Sequence, residues 1–508
     1  MASTDHSSAI IIFGAFVILT IVLTWTAARR TRSTGEFLVA GNRITAGQNG
    51  LALAGDFIGA STFLGVTGIA ALRGFDAMVF AVSLTLAWPL MLFLLAEPLR
   101  VLGKYTFADV IEYRLGNSAI KKWTALATVV AIFSILTFQL AGAGAIIKLL
   151  FGLSYFWSVI LIGGFMLVYV MFGGMVATTW LQVIKIILLL LICLALLICL
   201  LTTFGFNPGA LLVAAAQKGG QGVLAPSSKT NTLQLVSLAI ASTLGVASLP
   251  QVLLRFYTVP DAGAARRSMF YAAVIVGLTS IGLAFIGYGI MAVIGPDAIR
   301  AAEAGGNMAI PLLANYYGGP IFLGLVAAIA FATILAAVCG ILLAGSAALA
   351  HDFWGGVIRG NRASEREQFF AARLAALLLC IGGIALAVLV EGQNIFILSA
   401  LSGTIAASTI FPSLTLAIYW RGLSYAGAVS GLLTGLVSSL VMLWFSPLVQ
   451  LQMLAKPIAI IDLGSPVMVS VPLAFIVTIA VSLMTSDTAS AERFQNMERK
   501  LDLAWQER

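Results

Sequence analysis

Leu51-Ala-Leu-Ala-Gly-Asp-Phe-Ile-Gly-Ala-Ser-Thr-Phe-Leu-Gly65 puts one carboxylate, Asp56, inside an apolar run broken by three glycines. The run belongs to a chain of 508 residues that is 60% hydrophobic and only 9% charged. A carboxylate within a membrane span is costly, and such residues ordinarily face a cavity or a partner and mark an ion or solute path. Gly55, Gly59 and the Ser61-Thr62 pair would let the helix open there and expose backbone groups, which membrane-depth backbone tolerates only where it lines a cavity. The competing reading is a protonated or paired aspartate that serves helix packing.

Outward from this segment the chain stays apolar. Mean hydropathy is +1.05, and runs of about 20 residues, each long enough to span a bilayer, recur from end to end. The expected fold is therefore an all-α polytopic membrane protein of about 13 transmembrane helices. No loop is long enough for a soluble catalytic domain. Cys193, Cys199, Cys339 and Cys380 fall in apolar spans without metal or disulfide spacing, and His6 and His351 lie at span ends. The first run, Ile10 to Trp25, lacks a cleavage site and carries its basic flank, Arg29, Arg30 and Arg32, behind it, so it reads as a retained helix.

The spans run roughly over 9–28, 48–73, 77–98, 123–151, 156–175, 178–204, 233–256, 270–295, 320–349, 371–391, 394–418, 424–446 and 466–485. With the N-terminus outside, the inner connections hold Arg29, Arg30, Arg32, Arg43, Arg100, Lys104, Arg114, Lys121, Lys122, Arg255, Arg266, Arg267, Arg359, Arg362, Arg366, Arg373 and Arg421, with Arg493, Arg499, Lys500 and Arg508 in the tail. The outer ones hold only Arg73, Lys218, Lys229, Arg300 and Lys456. This positive-inside asymmetry predicts a multi-pass protein of the cytoplasmic membrane with its C-terminus in the cytoplasm. It also accounts for the net charge of +8 without nucleic acid, for which aromatic-basic patches are lacking.

Spans two to six begin at the inner face and spans seven to eleven at the outer face, as two inverted repeats would. Span seven contains Ala241-Ser-Thr-Leu-Gly-Val-Ala-Ser-Leu-Pro250, a polar interruption in the position that the Asp56 segment occupies in the first set. Paired interruptions at corresponding positions point to a binding site. The organisation read from this is 1–47 (N-terminal end, first helix and inner loop), 48–204 (first repeat), 205–232 (outer loop, as a lid or short helix), 233–418 (second repeat), 419–485 (two further helices) and 486–508 (cytoplasmic tail, as a solvated amphipathic helix).

Phe172-Gly-Gly-Met-Val-Ala-Thr-Thr-Trp180 and Gly427-Ala-Val-Ser-Gly431, after Trp420-Arg421, resemble the signatures of the sodium:solute symporter family. Leu249-Pro-Gln-Val-Leu-Leu-Arg-Phe-Tyr-Thr-Val259, Ala264-Ala-Arg-Arg-Ser268, Phe331-Ala-Thr-Ile-Leu335 and Ala350-His-Asp-Phe353 resemble its acetate-permease branch. The resemblance covers nearly the whole chain. It implies the five-plus-five inverted-repeat fold of the leucine transporter and cation-coupled symport. By the family pattern, a sodium site would take carbonyls of Ala54 and Phe57, the carbonyl of Thr333, and hydroxyls at two positions that fall here on Ala336 and Ala337. That is a departure, since Na+ is a hard cation that wants several oxygens.

Lys185, in Trp180-Leu-Gln-Val-Ile-Lys-Ile-Ile187, lies about 10 Å into its helix at ~1.5 Å per residue. Some relatives of this fold that run on protons place a lysine ammonium near the vacated sodium site. A buried lysine binds and releases a proton readily, whereas a snorkelling lysine would reach the headgroups instead. Asp56, Lys185 and Gln182 are the expected coupling residues, with Na+ as the coupling cation on the family pattern and H+ as the alternative. No other cofactor or metal is expected.

A small monocarboxylate needs positive partial charge and a short apolar pocket. Ala60, Ser61 and Thr62 at the start of the outer half-helix would supply free N–H groups and hydroxyls. Ser242 and Thr243 could join from span seven, and Thr404, Ser408 and Thr409 from span eleven, although such hydroxyls also serve helix packing. The expected partners are this solute and the lipid bilayer. A membrane-embedded enzyme would need clustered acids, histidines or metal ligands, a channel would need polar rings or a filter, and a sensor would need a signalling domain.

Overall fold

A computed structural model describes residues 34–506 apart from 60, 227–231, 361, 455, 486 and 487, together with five positions between 11 and 22. Every regular element among the described residues is a helix. Ten helices are long and apolar enough to cross a membrane, or eleven when the bent pair Ala46–Phe57 and Ser61–Arg73 counts as one span. The expected first span lies almost wholly outside the described residues, and the expected fifth contains a shorter apolar helix, Tyr155–Leu167.

Local sequence explains the two breaks. In span two, Thr45 and Gln48 cap the inner half-helix in a reciprocal capping box. Its last turn ends at Ile58, whose backbone (φ −74°, ψ 79°) leaves the helix, and the chain resumes at Ser61 in a wide, π-type turn. The two halves meet at 57°. In span seven the outer half, Thr232–Val246, and the inner half, Pro250–Leu254, are separated by three residues. Pro250 has no N–H and so cannot continue the outer half, but it suits the first position of the inner one. Between spans five and six, Gly174 adopts φ +62° within Tyr155–Thr203, a conformation that favours glycine.

Spans nine and eleven form the centre of the bundle: 83% of an apolar 18-residue stretch in each is buried inside the protein, against 33% in the last span, Val467–Met484. The outer loop contains a helix, Pro208–Gly219, started by Asn207. The tail helix, Thr488–Gln506, packs one apolar face against the bundle and leaves the other exposed. It docks Phe494, Met497 and Leu501 into the core and sets Lys500 over the Tyr113 ring at 4.8 Å.

Two arginines assigned to inner loops are buried instead. Arg114 donates to the backbone oxygens of Ser490 (2.6 Å) and Arg421 (2.7 Å), tying the tail to the bundle. Arg255 enters the protein interior, where it meets Asp56.

Candidate functional site

Asp56 ends the inner half of span two, and its carboxylate is buried with both oxygens engaged. Gln182 donates its amide N–H to one oxygen, and the Arg255 guanidinium forms an ion pair with the other. Arg255 also donates to the Thr179 hydroxyl at 2.6 Å. Isolated charges at this depth would cost several kcal/mol each, so the pairing is what makes them tolerable. Gln182 donates a second time, to the Ala336 carbonyl at 2.8 Å. One turn further along, the buried Lys185 ammonium donates to the Thr333 carbonyl at 2.9 Å. The lysine therefore does not snorkel. It crosses to span nine at the carbonyl expected to hold the cation.

Ala54, Phe57, Thr333, Ala336 and Ala337 are all buried. The Thr333 hydroxyl has no hydrogen-bond partner, and the methyl groups of Ala336 and Ala337 offer no oxygen. The only side-chain oxygen close to the Thr333 carbonyl in that helix is thus its own hydroxyl, while the ammonium already satisfies the carbonyl.

Beside Asp56 is a small cavity of about 30 Å³. Asp56, Ser61, Gln139, Ser242, Gln251 and Ser399 supply its polar lining, and Phe57, Phe138 and Leu249 are among its apolar walls. Ser61 and Ser242 are thus brought together from the two breaks. Thr62 is buried beside them with its hydroxyl unpaired but is not in the lining. Ala60 lies outside the described residues.

Three expected substrate hydroxyls have partners within the packing. Thr243 turns to span three and donates to the Ser83 carbonyl at 2.8 Å. Thr404 pairs with the Ser465 hydroxyl at 2.5 Å and Ser408 with that of Ser470 at 2.6 Å. Helical spacing put Thr404 and Ser408 on one face, but that face meets the last span. Thr409 donates to the Ile405 carbonyl of its own helix. Conversely, Arg255 and Gln251 were not singled out. Their i, i+4 spacing just after a proline break was the available signal that both face inward.

A second network closes the end of the bundle that bears Arg100 and Lys104. Asp109 accepts from Lys121 (3.0 Å) and contacts His351 (3.2 Å), and Thr106 donates to Asp352 at 2.9 Å. Burial works to raise the Asp109 carboxyl, but the His351 hydrogen bond and the nearby positive charges outweigh it and hold the group well below the ordinary carboxylate range.

Broken helices in inverted positions around a buried charge cluster invite comparison with known transporters. Residues 37–435 match the model of the sodium:solute symporter family. The chain belongs to that family. It is 41% identical over 504 residues to an uncharacterized symporter, YwcA, of Bacillus subtilis (strain 168), covering 97% of this chain and 98% of the relative. In fold it resembles a Na+-coupled sialic acid symporter in a substrate-bound, outward-open state (TM-score 0.71, 14% identity, 94% of this chain and 98% of the other). It also resembles Mhp1, a nucleobase-cation-symport-1 family transporter in a closed conformation (TM-score 0.53, 13% identity, 90% and 97%). The protein is therefore a multi-pass, secondary active symporter with the fold of the leucine transporter.

Proposed function

We propose that this symporter imports a short-chain monocarboxylate such as acetate, propionate, pyruvate or lactate, by alternating access, and that Lys185 carries the coupling proton. The observation that carries the reading is the Lys185 ammonium on the Thr333 carbonyl, beside alanines at both expected hydroxyl positions. Charge balance supports it. Asp56 and Arg255 cancel as an ion pair. A protonated Lys185 then leaves one positive charge in a buried centre. A carboxylate in the adjoining cavity neutralises that charge, and so does loss of the proton when the cavity is empty. Proton and carboxylate thereby favour each other's binding, which is a coupling free energy between two sites. Transport of one with the other moves no net charge, so the membrane potential, worth about 2.3 kcal/mol per charge per 100 mV, does not contribute.

Family membership favours a second reading, in which Na+ displaces the ammonium and is held by the carbonyls of Ala54, Phe57 and Thr333. In both readings Ser61, Thr62 and Ser242 belong to the solute site, residues 48–204 and 233–418 form the two repeats, and the basic end of the bundle faces the cytoplasm. Uptake of labelled acetate into proteoliposomes, with sodium and proton gradients imposed separately, tests the proposal. Accumulation driven by the proton gradient alone supports Lys185 as the carrier. Accumulation driven by sodium alone overturns it, and no uptake of any of the four acids overturns the substrate class.

A further inference from the structure

Two glutamines, Gln139 and Gln251, line the solute cavity. Behind it, Gln182 donates its N–H groups to Asp56 and the Ala336 carbonyl and leaves its own carbonyl oxygen without a partner. Gln251, in the cavity wall, is 4% exposed, and its carbonyl oxygen has no hydrogen-bond partner. A buried carboxamide left unsatisfied costs about 1–3 kcal/mol, so a site that retains one has a use for it. We propose that Gln251 is the side chain that grips the substrate carboxylate from span seven, opposite Ser61 on span two. The assignment rests on the monocarboxylate reading above.

The donors in the cavity wall are the hydroxyls of Ser61, Ser242 and Ser399 and the amides of Gln139 and Gln251, of which Gln139 is already engaged. Both oxygens of Asp56 are occupied, and a carboxylate gains nothing from an acceptor. The Ser242 hydroxyl already donates to the Leu238 carbonyl at 2.8 Å. An amide whose oxygen is not held can turn about its last side-chain torsion and present its N–H pair to an entering carboxylate. The solute then bridges the two broken helices at their interruptions, with its short alkyl end against Phe57, Phe138 and Leu249. Gripping the carboxylate rather than the chain predicts that Gln251 matters equally for all acids of the class.

The test compares wild type with Gln251→Leu, Gln251→Glu and Gln251→Asn in proteoliposomes, measuring KM and maximal rate for acetate, propionate, pyruvate and lactate. The expected result for Gln251→Leu is a rise in KM of about 10-fold or more for every acid, with their order of preference unchanged. Gln251→Glu, isosteric but anionic, loses uptake more severely, and Gln251→Asn retains part of it. If the leucine variant fails to insert, the glutamate–asparagine pair carries the test, because both preserve polarity and only one preserves a donor. An unchanged KM in the leucine variant, or equal activity of the glutamate and asparagine variants, overturns the assignment. So does a loss confined to the acids with oxygen on the second carbon. A wild type that transports none of the four overturns the function reading itself, and with it this one.

Discussion

The two broken helices solve the same problem in different ways. Span two is interrupted beside a charge, and its break is pinned by hydrogen bonds: Asp56 is held by Gln182 from span six and Arg255 from span seven. Span seven is interrupted by proline, and its outer half is pinned by close packing. A Cβ on Gly245 would come within 2.5 Å of the Gly403 Cα on span eleven. A charge-held break can change when a proton or an anion arrives. A packing-held break can only move as a body with its neighbour. The contrast assigns ligand sensitivity to span two and rigid guidance to the outer half of span seven, with Arg255 of the inner half joining them.

The largest effect is expected from Asp56→Ala. It leaves the Arg255 guanidinium buried without its counter-ion, a change worth about 3–5 kcal/mol, and should abolish uptake and lower the melting temperature of the purified protein. Arg255→Met added to Asp56→Ala should recover much of the stability and none of the uptake. Normal uptake by the single mutant would reduce Asp56 to a packing residue. Lys185→Ala should come next: proton-driven accumulation falls by the 5–150-fold typical of an allosteric coupling of about 1–3 kcal/mol, while exchange of labelled for unlabelled substrate continues. Accumulation that still follows the proton gradient in this mutant would remove Lys185 from the coupling.

Gly245→Ala probes the other break. Overpacking there should cost about 1–3 kcal/mol, and it should slow exchange and accumulation together without altering their pH dependence. A shift in pH dependence would erase the distinction drawn between the two breaks. The smallest effect belongs to Ser61→Ala, the loss of one cavity hydroxyl. A hydrogen bond of about 0.5–1.5 kcal/mol corresponds to a rise in the KM for acetate of some 2- to 12-fold at an unchanged maximal rate. An unchanged KM would leave the carboxylate to Gln251 and the backbone.

The interruptions in both spans and the apolar helices are legible along the chain, because each is a local property: periodicity, a glycine, a proline; the alanines at 336 and 337 stand out only against the family pattern. Lys185 could be read either as a snorkelling residue or as a site residue, because a flexible four-carbon stem reaches both ways from one Cα. Arg255 looked like an ordinary member of an inner loop. Its burial follows from the 3-10 turn Arg255–Tyr257, which prolongs the inner half-helix beneath Asp56, and that proximity does not exist until the two repeats interleave.

By itself, then, the sequence determined a helical membrane protein with two inverted interruptions and a carboxylate at the first. Hydropathy and backbone chemistry act over a few residues, so their consequences are written in order along the chain. Only the tertiary structure decided who satisfies that carboxylate, which hydroxyls see the cavity and which are spent on the last span. Hydrogen bonds and ion pairs reach about 3 Å. Partners such as Asp56 and Arg255, separated by 199 positions, become a pair only once packing has brought their helices together.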